Sequence, residues 1–174
     1  ATYTLGDADV GAQISVQVSY TDLQGNPEGP LTSAQTAAVL NVNDAPVLVT
    51  NNPLSVPEES TRTITAAELE VTDVDNTPDQ IVYTLASLPS GGLVRLNGSN
   101  LGLGDTFTQD DINNNRVTYR DPGDANSTSF QLSVSDGTAT LPAITFGING
   151  VAINDAPVNT VPALITATEE TATA

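Results

Sequence analysis

Val42-Asn43-Asp44-Ala45-Pro46-Val47 returns as Ile153-Asn154-Asp155-Ala156-Pro157-Val158, placing Asp155 111 residues after Asp44. The echo runs past the hexapeptide. Glu58-Glu59 begins 14 residues after Asp44, and Glu169-Glu170 begins 14 residues after Asp155. A period of this length is that of a whole domain, not a solenoid turn, so the stretch reads as a linker between tandem domains. It divides the 174 residues into the last part of one domain (1–45), a complete repeat (46–156) and the opening of a following repeat (157–174).

Between the linkers the pattern is β throughout. Ile81, Tyr83 and Leu85 alternate with more polar neighbours, as do Phe130, Leu132 and Val134, then Ile144, Phe146 and Ile148, while Val117 and Tyr119 make a shorter pair. Period-2 alternation gives strands with one buried face. Pro89-Ser90-Gly91-Gly92, Asn97-Gly98 and Asp136-Gly137 supply turns, and short strands at such spacing predict an all-β sandwich. One helical turn is predicted over 108–114, where Thr108 can cap and Asp111 stands three residues later. In the first segment, Ile14, Val16, Val18 and Tyr20 predict a strand, residues 22–30 a turn-rich loop, and Ala38, Leu40 and Val42 a final strand. Neither terminal piece is large enough to bury a sandwich core by itself. Two readings follow: the chain is cut from a longer array, which leads, or its ends are completed by other chains through strand addition.

The composition excludes most chemistry. Four Arg, no Lys and 21 acidic residues give a net charge of −17, with no His and no Cys. There is no imidazole base, thiolate nucleophile or zinc thiolate, and no lysine for a phosphate loop, a Schiff base or an isopeptide crosslink. A surface this acidic repels phosphate backbones, so nucleic acid is a poor partner. No apolar run is long enough to span a membrane. With 39% hydrophobic residues but only seven aromatics, the core is expected to rest on Val, Ile, Leu and Ala. Asn97-Gly98-Ser99 and Asn126-Ser127-Thr128 match the glycosylation pattern but read as turns.

Isolated carboxylates such as Glu28, Glu68 and Glu70 read as solvated surface. Others gather in linkers and turns, and sorting turns by alternate strand direction assigns them to two poles of the repeat. The N-proximal pole collects Asp73, Asp75 and Asp136 against linker residues Asn43 and Asp44. The C-proximal pole collects Glu58, Glu59, Asp121 and Asp124 against Asn154 and Asp155. Clusters of carboxylate, Asn and main-chain oxygen suit Ca2+, which takes about six to eight hard oxygen ligands. Magnesium demands stricter geometry, and transition metals would lack their N and S ligands. Calcium is therefore the expected ion.

The Asn-Asp-Ala-Pro linker, the Glu58-Glu59 pair, Asp73-Val74-Asp75 and Asp136-Gly137 resemble the interdomain calcium motifs of cadherin repeats. Phe107-Thr108-Gln109-Asp110-Asp111-Ile112, with Val117-Thr118-Tyr119 and residues 130–137, resembles the chondroitin-sulfate-proteoglycan-type repeat, a cadherin-like sandwich. Residues 3–11 resemble the corner before strand F of immunoglobulin-like domains. The resemblance implies tandem cadherin-like or immunoglobulin-like Greek-key sandwiches. Arrays joined by such linkers resemble the extender regions of large bacterial surface adhesins of the RTX type, which implies an extracellular, calcium-stiffened stalk at the cell surface. Its partners would be adjacent repeats of the same or neighbouring chains, with any host glycan or protein bound through other domains. The linker lacks the Asp two residues before Asn43 and the second Asn after Asp44 of full cadherin linkers, implying about one or two ions per junction. The Gly-Gly-x-Gly-x-Asp repeat of calcium-binding β-rolls is absent.

Three other functions are weaker readings. A filament subunit would use neighbouring chains to complete its terminal domains, and would be told apart by ordered polymers. A carbohydrate-binding module would want aromatic platforms, and the chain has no Trp. A glycosidase would use Asp110-Asp111 or Glu58-Glu59, but adjacent strand residues point to opposite faces.

Overall fold

The computed structural model describes residues 2–158 of the chain. The Glu169-Glu170 echo and nearly all of the segment 157–174 lie outside the described residues. After a 3-10 turn at Asp7–Asp9 come β1 (Gln17–Thr21), β2 (Pro27–Thr32), β3 (Val47–Asn51), β4 (Leu54–Pro57), β5 (Thr61–Thr63), β6 (Leu69–Thr72), β7 (Val82–Leu85), β8 (Leu93–Leu96), β9 (Ser99–Asn100) and β10 (Thr106–Thr108). The helix α1 (Gln109–Asn113) follows, then β11 (Val117–Arg120), β12 (Thr128–Ser135) and β13 (Ile144–Val151).

The fold is all-β. One sheet has the order β10-β7-β12-β13-β4 and the other β5-β11-β8-β9, with β3 and β6 paired apart. Consecutive strands β7 and β8 lie in different sheets, so the chain crosses between the two layers of the sandwich. Each long strand has one face inward: β12 alternates buried Phe130, Leu132 and Val134 with polar residues, and β13 does the same with Ile144, Phe146 and Ile148. One pairing departs from the all-antiparallel scheme used to sort the poles. β4 runs parallel to β13, with Ile148 opposite Leu54.

The core rests mainly on Val, Ile and Leu, as expected, but its aromatic and Ala content departs from the expectation. All three Phe and two of the four Tyr sit at its centre, and among the described residues no Ala is a buried hydrophobic. Tyr83 stacks on Phe107 with ring centroids 5.0 Å apart, and Phe130 tilts against Phe146 at 5.4 Å. Few aromatics suffice because each large buried side chain contributes about 1.5–3 kcal/mol. Gln109 is buried among them; its Oε1 accepts from the Tyr83 hydroxyl at 2.5 Å and from Val71 N at 3.0 Å, joining α1, β7 and β6. The helix starts where the sequence signals it. Thr108 Oγ1 accepts from Asp111 N while Asp111 Oδ2 accepts from Thr108 N, a reciprocal capping box.

Residues 2–45 differ from the sequence reading in two places. Strand β2 falls across the end of the expected loop and beyond it, pairing with β1 from Gln17↔Thr32 to Thr21↔Pro27. The turn is confined to residues 22–26, where Asp22 Oδ1 accepts from Gln24 N and Asn26 N. The expected final strand is reduced to a single bridge, Gln13↔Ala38. Leu40 and Val42 have no ladder partner and are exposed. No residue of 2–45 is buried.

Candidate metal centre

At the N-proximal pole, Asp73 follows β6 and organises its own loop: Oδ1 accepts from Asp75 N at 2.8 Å and from Asn76 N at 3.0 Å. Asp75 turns both oxygens to the linker. Its Oδ1 accepts from Asn41 Nδ2 at 3.0 Å and its Oδ2 from Asp44 N at 2.7 Å. Asp136, at the end of β12, accepts from Thr138 N and Ala139 N on Oδ1 and from Asn43 Nδ2 at 2.9 Å on Oδ2. These donors stabilise the ionised form, the Asn43 bond most, and hold the Asp136 carboxyl below the usual range. Asp44 goes the other way. Asp7 of the preceding segment, then loss of hydration, then Asp75 and Asp73 push its pKa up.

At the C-proximal pole, Asp121 is fully buried at the end of β11. Its Oδ1 accepts from Gly123 N at 2.8 Å and from Glu59 N at 3.3 Å. Glu59 adopts φ +59°, the left-handed region, which turns its amide toward the aspartate. Asp121 and Asp124 both act on Tyr119, whose hydroxyl is pushed up to about 12 by burial first and by these carboxylates next. Asp124 itself is lowered, chiefly by its bond with the Asn126 side chain. Glu58 reaches the second linker by a different atom: its Oε1 accepts from Ile153 N. Among the described residues Asn154 donates to the carbonyl of Asp155, and no hydrogen bond joins either residue to the other carboxylates.

The structure thus brings Asn43, Asp44, Asp73, Asp75 and Asp136 together, and Glu59 with Asp121, while Asn154 and Asp155 stand apart. Three contributors were missed by sequence reasoning: Asp7, Asn41 and Asn76. Asn41 had a signal, since it lies two residues before Asn43, where a fuller linker would carry a ligand. Asp7 and Asn76 had none, being brought in by the turns at 7–9 and 73–77.

Four atoms test whether a hard divalent cation suits these poles. Asp73 Oδ2, Asn76 Oδ1 and Asp121 Oδ2 are shielded from solvent and have no hydrogen-bond partner. An oxygen in that state costs about 1–3 kcal/mol or more, and all three are hard donors of the kind calcium takes. The fourth, Arg116 Nε, lies 2.8 Å from Asp111 Oδ1 without hydrogen-bond alignment, so its charge is met by an ion pair instead. The donor chemistry fits. Among the described residues no three carboxylates converge tightly enough to make a preformed cage. Coordination would therefore need main-chain oxygens and closure of the side chains. Asp110 and Asp111, the glycosidase candidates, are both committed to Arg116, and Asp111 also to the cap of α1.

The sandwich formed by β3 to β13 has an Asn-Asp pair in the sequence on either side of it, at Asn43-Asp44 and Asn154-Asp155. The chain belongs to the cadherin-like family, whose model matches residues 46–150. Among its relatives, chondroitin sulfate proteoglycan 4 of Homo sapiens is 35% identical over 113 residues, covering 64% of this chain and 5% of that protein. Extracellular matrix organizing protein FRAS1 of Mus musculus is 38% identical over 101 residues, 56% of this chain and 2% of that protein. Extracellular matrix protein 3 of Lytechinus variegatus is 34% identical over 148 residues, 84% of this chain and 4% of that protein. The chain spans only a few per cent of these relatives. No helix among the described residues is long and apolar enough to cross a membrane.

Proposed function

We propose that this chain is a non-catalytic extracellular structural module whose junctions are stiffened by Ca2+, a segment of a stalk that carries adhesive domains away from a bacterial surface. The observation that carries it is Asp121: a fully buried carboxylate with an unpartnered oxygen at the pole where the chain leaves the repeat. Bound there and at the N-proximal pole, calcium supplies the positive charge and oxygen coordination that these carboxylates lack. Asp73 and Asp75 would hold the linker side, with Asn76 as a neutral ligand, while Asp7 and Asp44 would cease to repel one another across the junction. Binding only the ordered form stabilises it by mass action. The extracellular setting is supported by relatives named as matrix proteins, and the bacterial one by the linker type and the lack of Cys.

Small-angle scattering with calcium and then with excess chelator tests this. The expected result is a rod that loses stiffness on chelation, with binding heat on adding calcium back. Identical scattering in both conditions and no heat would remove calcium from the function.

A second reading, the filament subunit, is favoured by one observation: Tyr3, Leu40 and Val42 in the first segment are each more than 70% exposed. Ordered polymers of the isolated protein in chelator would support it over the calcium-stiffened stalk.

A further inference from the structure

We infer that residues 41–44 are latched onto the repeat that follows them by hydrogen bonds that need no ion, so the junction bends at Leu40 and the linker moves with residues 46–151. This deepens the junction reading above by locating its hinge.

The hydrogen bonds divide sharply along the chain, although Val42 still lines a pocket with Leu5 and Val10 of the first segment. Up to residue 39 they face backward: Gln13 bridges Ala38, Val39 N donates to Ala12 O at 2.8 Å, and Gly11 N donates to Val39 O at 2.9 Å. From residue 41 they face forward. Asn41 Nδ2 donates to Asp75 Oδ1, Asn43 Nδ2 to Asp136 Oδ2 and Asp44 N to Asp75 Oδ2, all between 2.7 and 3.0 Å. Pro46, next along, is buried in the repeat. The three acceptor oxygens belong to two carboxylates on different loops, Asp75 after β6 and Asp136 after β12, so the latch fixes the linker at two separated points. Bonds to charged acceptors are stronger than neutral ones, and three acting from two loops hold the linker in one orientation on the repeat.

Only Leu40 lies between the two sets. It is 83% exposed and takes part in none of these bonds. On its two sides stand Asp7 and Asp44, whose like charges favour opening at that residue. Asn41 and Asn43 are therefore positioning residues: they fasten Asp75 and Asp136 to the linker and leave Asp73 Oδ2 and Asn76 Oδ1 open.

The test is to measure backbone N–H residual dipolar couplings on the full labelled chain in excess chelator. Alignment tensors are fitted separately to the strands of residues 2–39 and of 47–151. The couplings of residues 41–44 are expected to follow the second tensor. If they follow the first, or neither, the inference is overturned. Asn41→Ala with Asn43→Ala should collapse the couplings of residues 41–44 toward zero while the tensor of 47–151 is retained, which also shows that the repeat remains folded. Unchanged couplings in that variant would mean the bonds are not the latch. Adding calcium separates the two ideas. Convergence of the tensors supports the calcium junction, whereas persistent difference with residues 41–44 still tracking the repeat defeats that junction and leaves the latch standing.

Discussion

The side-chain amide of Asn43 donates to Asp136 Oδ2 at 2.9 Å across 93 residues of sequence. This one bond ties the linker to the repeat, because Asn43 stands just before its first strand and Asp136 just after β12. It also sets the charge state of the pole, being the largest influence that lowers the Asp136 pKa.

The pH dependence at this pole therefore has two opposite parts. Asp136 has a depressed folded pKa, so the stability it contributes is present above its ordinary value of 3.8 and is lost as pH falls through the lower folded value. Asp44 has a raised pKa, so its ionisation opposes the arrangement at neutral pH, and that opposition fades as pH falls through the raised value. Mild acid should first tighten the linker contact, and stronger acid should then release it. Carboxyl carbon NMR titration of Asp44 and Asp136 reads both steps. In Asn43→Ala the Asp136 midpoint should move up; an unmoved midpoint would show that the amide bond does not set it.

Asp121→Asn separates ion binding from folding. In the absence of calcium, neutralising a buried carboxylate with an unpartnered oxygen is expected to leave the melting temperature unchanged or raise it, since a buried charge with no counter-ion among the described residues is removed while Oδ1 can still accept. Added calcium should raise the melting temperature of the parent more than that of the variant. Calorimetry with and without chelator gives both numbers. An equal calcium shift in the two proteins would exclude Asp121 as a ligand.

How much of this was legible depended on the distance over which each signal acts. The cap at Thr108, the Asn97-Gly98 hairpin between β8 and β9 and the alternation of β12 and β13 are local, and each stands where the sequence placed it. Strand β2 was missed because Pro27, Gly29 and Pro30 read as loop residues, although on a two-stranded ribbon each strand is an edge where Pro is tolerated. The expected strand at 38–42 has the right alternation but no partner to complete a ladder. Asn41, Asp7 and Asn76 joined the N-proximal pole only through turns, and no spacing rule predicts which side chains such turns bring together.

The Gln109 junction gives a stability prediction. Gln109→Leu leaves the Tyr83 hydroxyl and Val71 N buried without an acceptor and should cost about 1–3 kcal/mol for each stranded donor. Tyr83→Phe removes only one donor and keeps the stack on Phe107, so it should cost less, about 0.5–1.5 kcal/mol. Urea denaturation of both variants orders them. If Tyr83→Phe proved the more costly, the hydroxyl would have a role beyond its bond to Gln109.

Two glycines of β13 differ in what surrounds them, and that difference makes the last prediction. A Cβ on Gly150 would lie 2.3 Å from the carbonyl oxygen of Ala125 and 2.8 Å from the carbonyl carbon of Asn126, both main-chain atoms of the loop that follows Asp121. A Cβ on Gly147 would meet only the Pro53 ring carbon at 3.3 Å. Gly150→Ala must therefore displace the 121–127 loop, at a cost of about 1–3 kcal/mol, whereas Gly147→Ala should cost less. Because the displaced loop carries Asp124 and is anchored by Asp121 Oδ1 through Gly123, Gly150→Ala should also weaken any calcium response at this pole. Gly147→Ala should leave that response intact. Paired chemical denaturation and calcium calorimetry on the two variants would decide it: equal stability losses would mean that the loop does not close on Gly150 in solution.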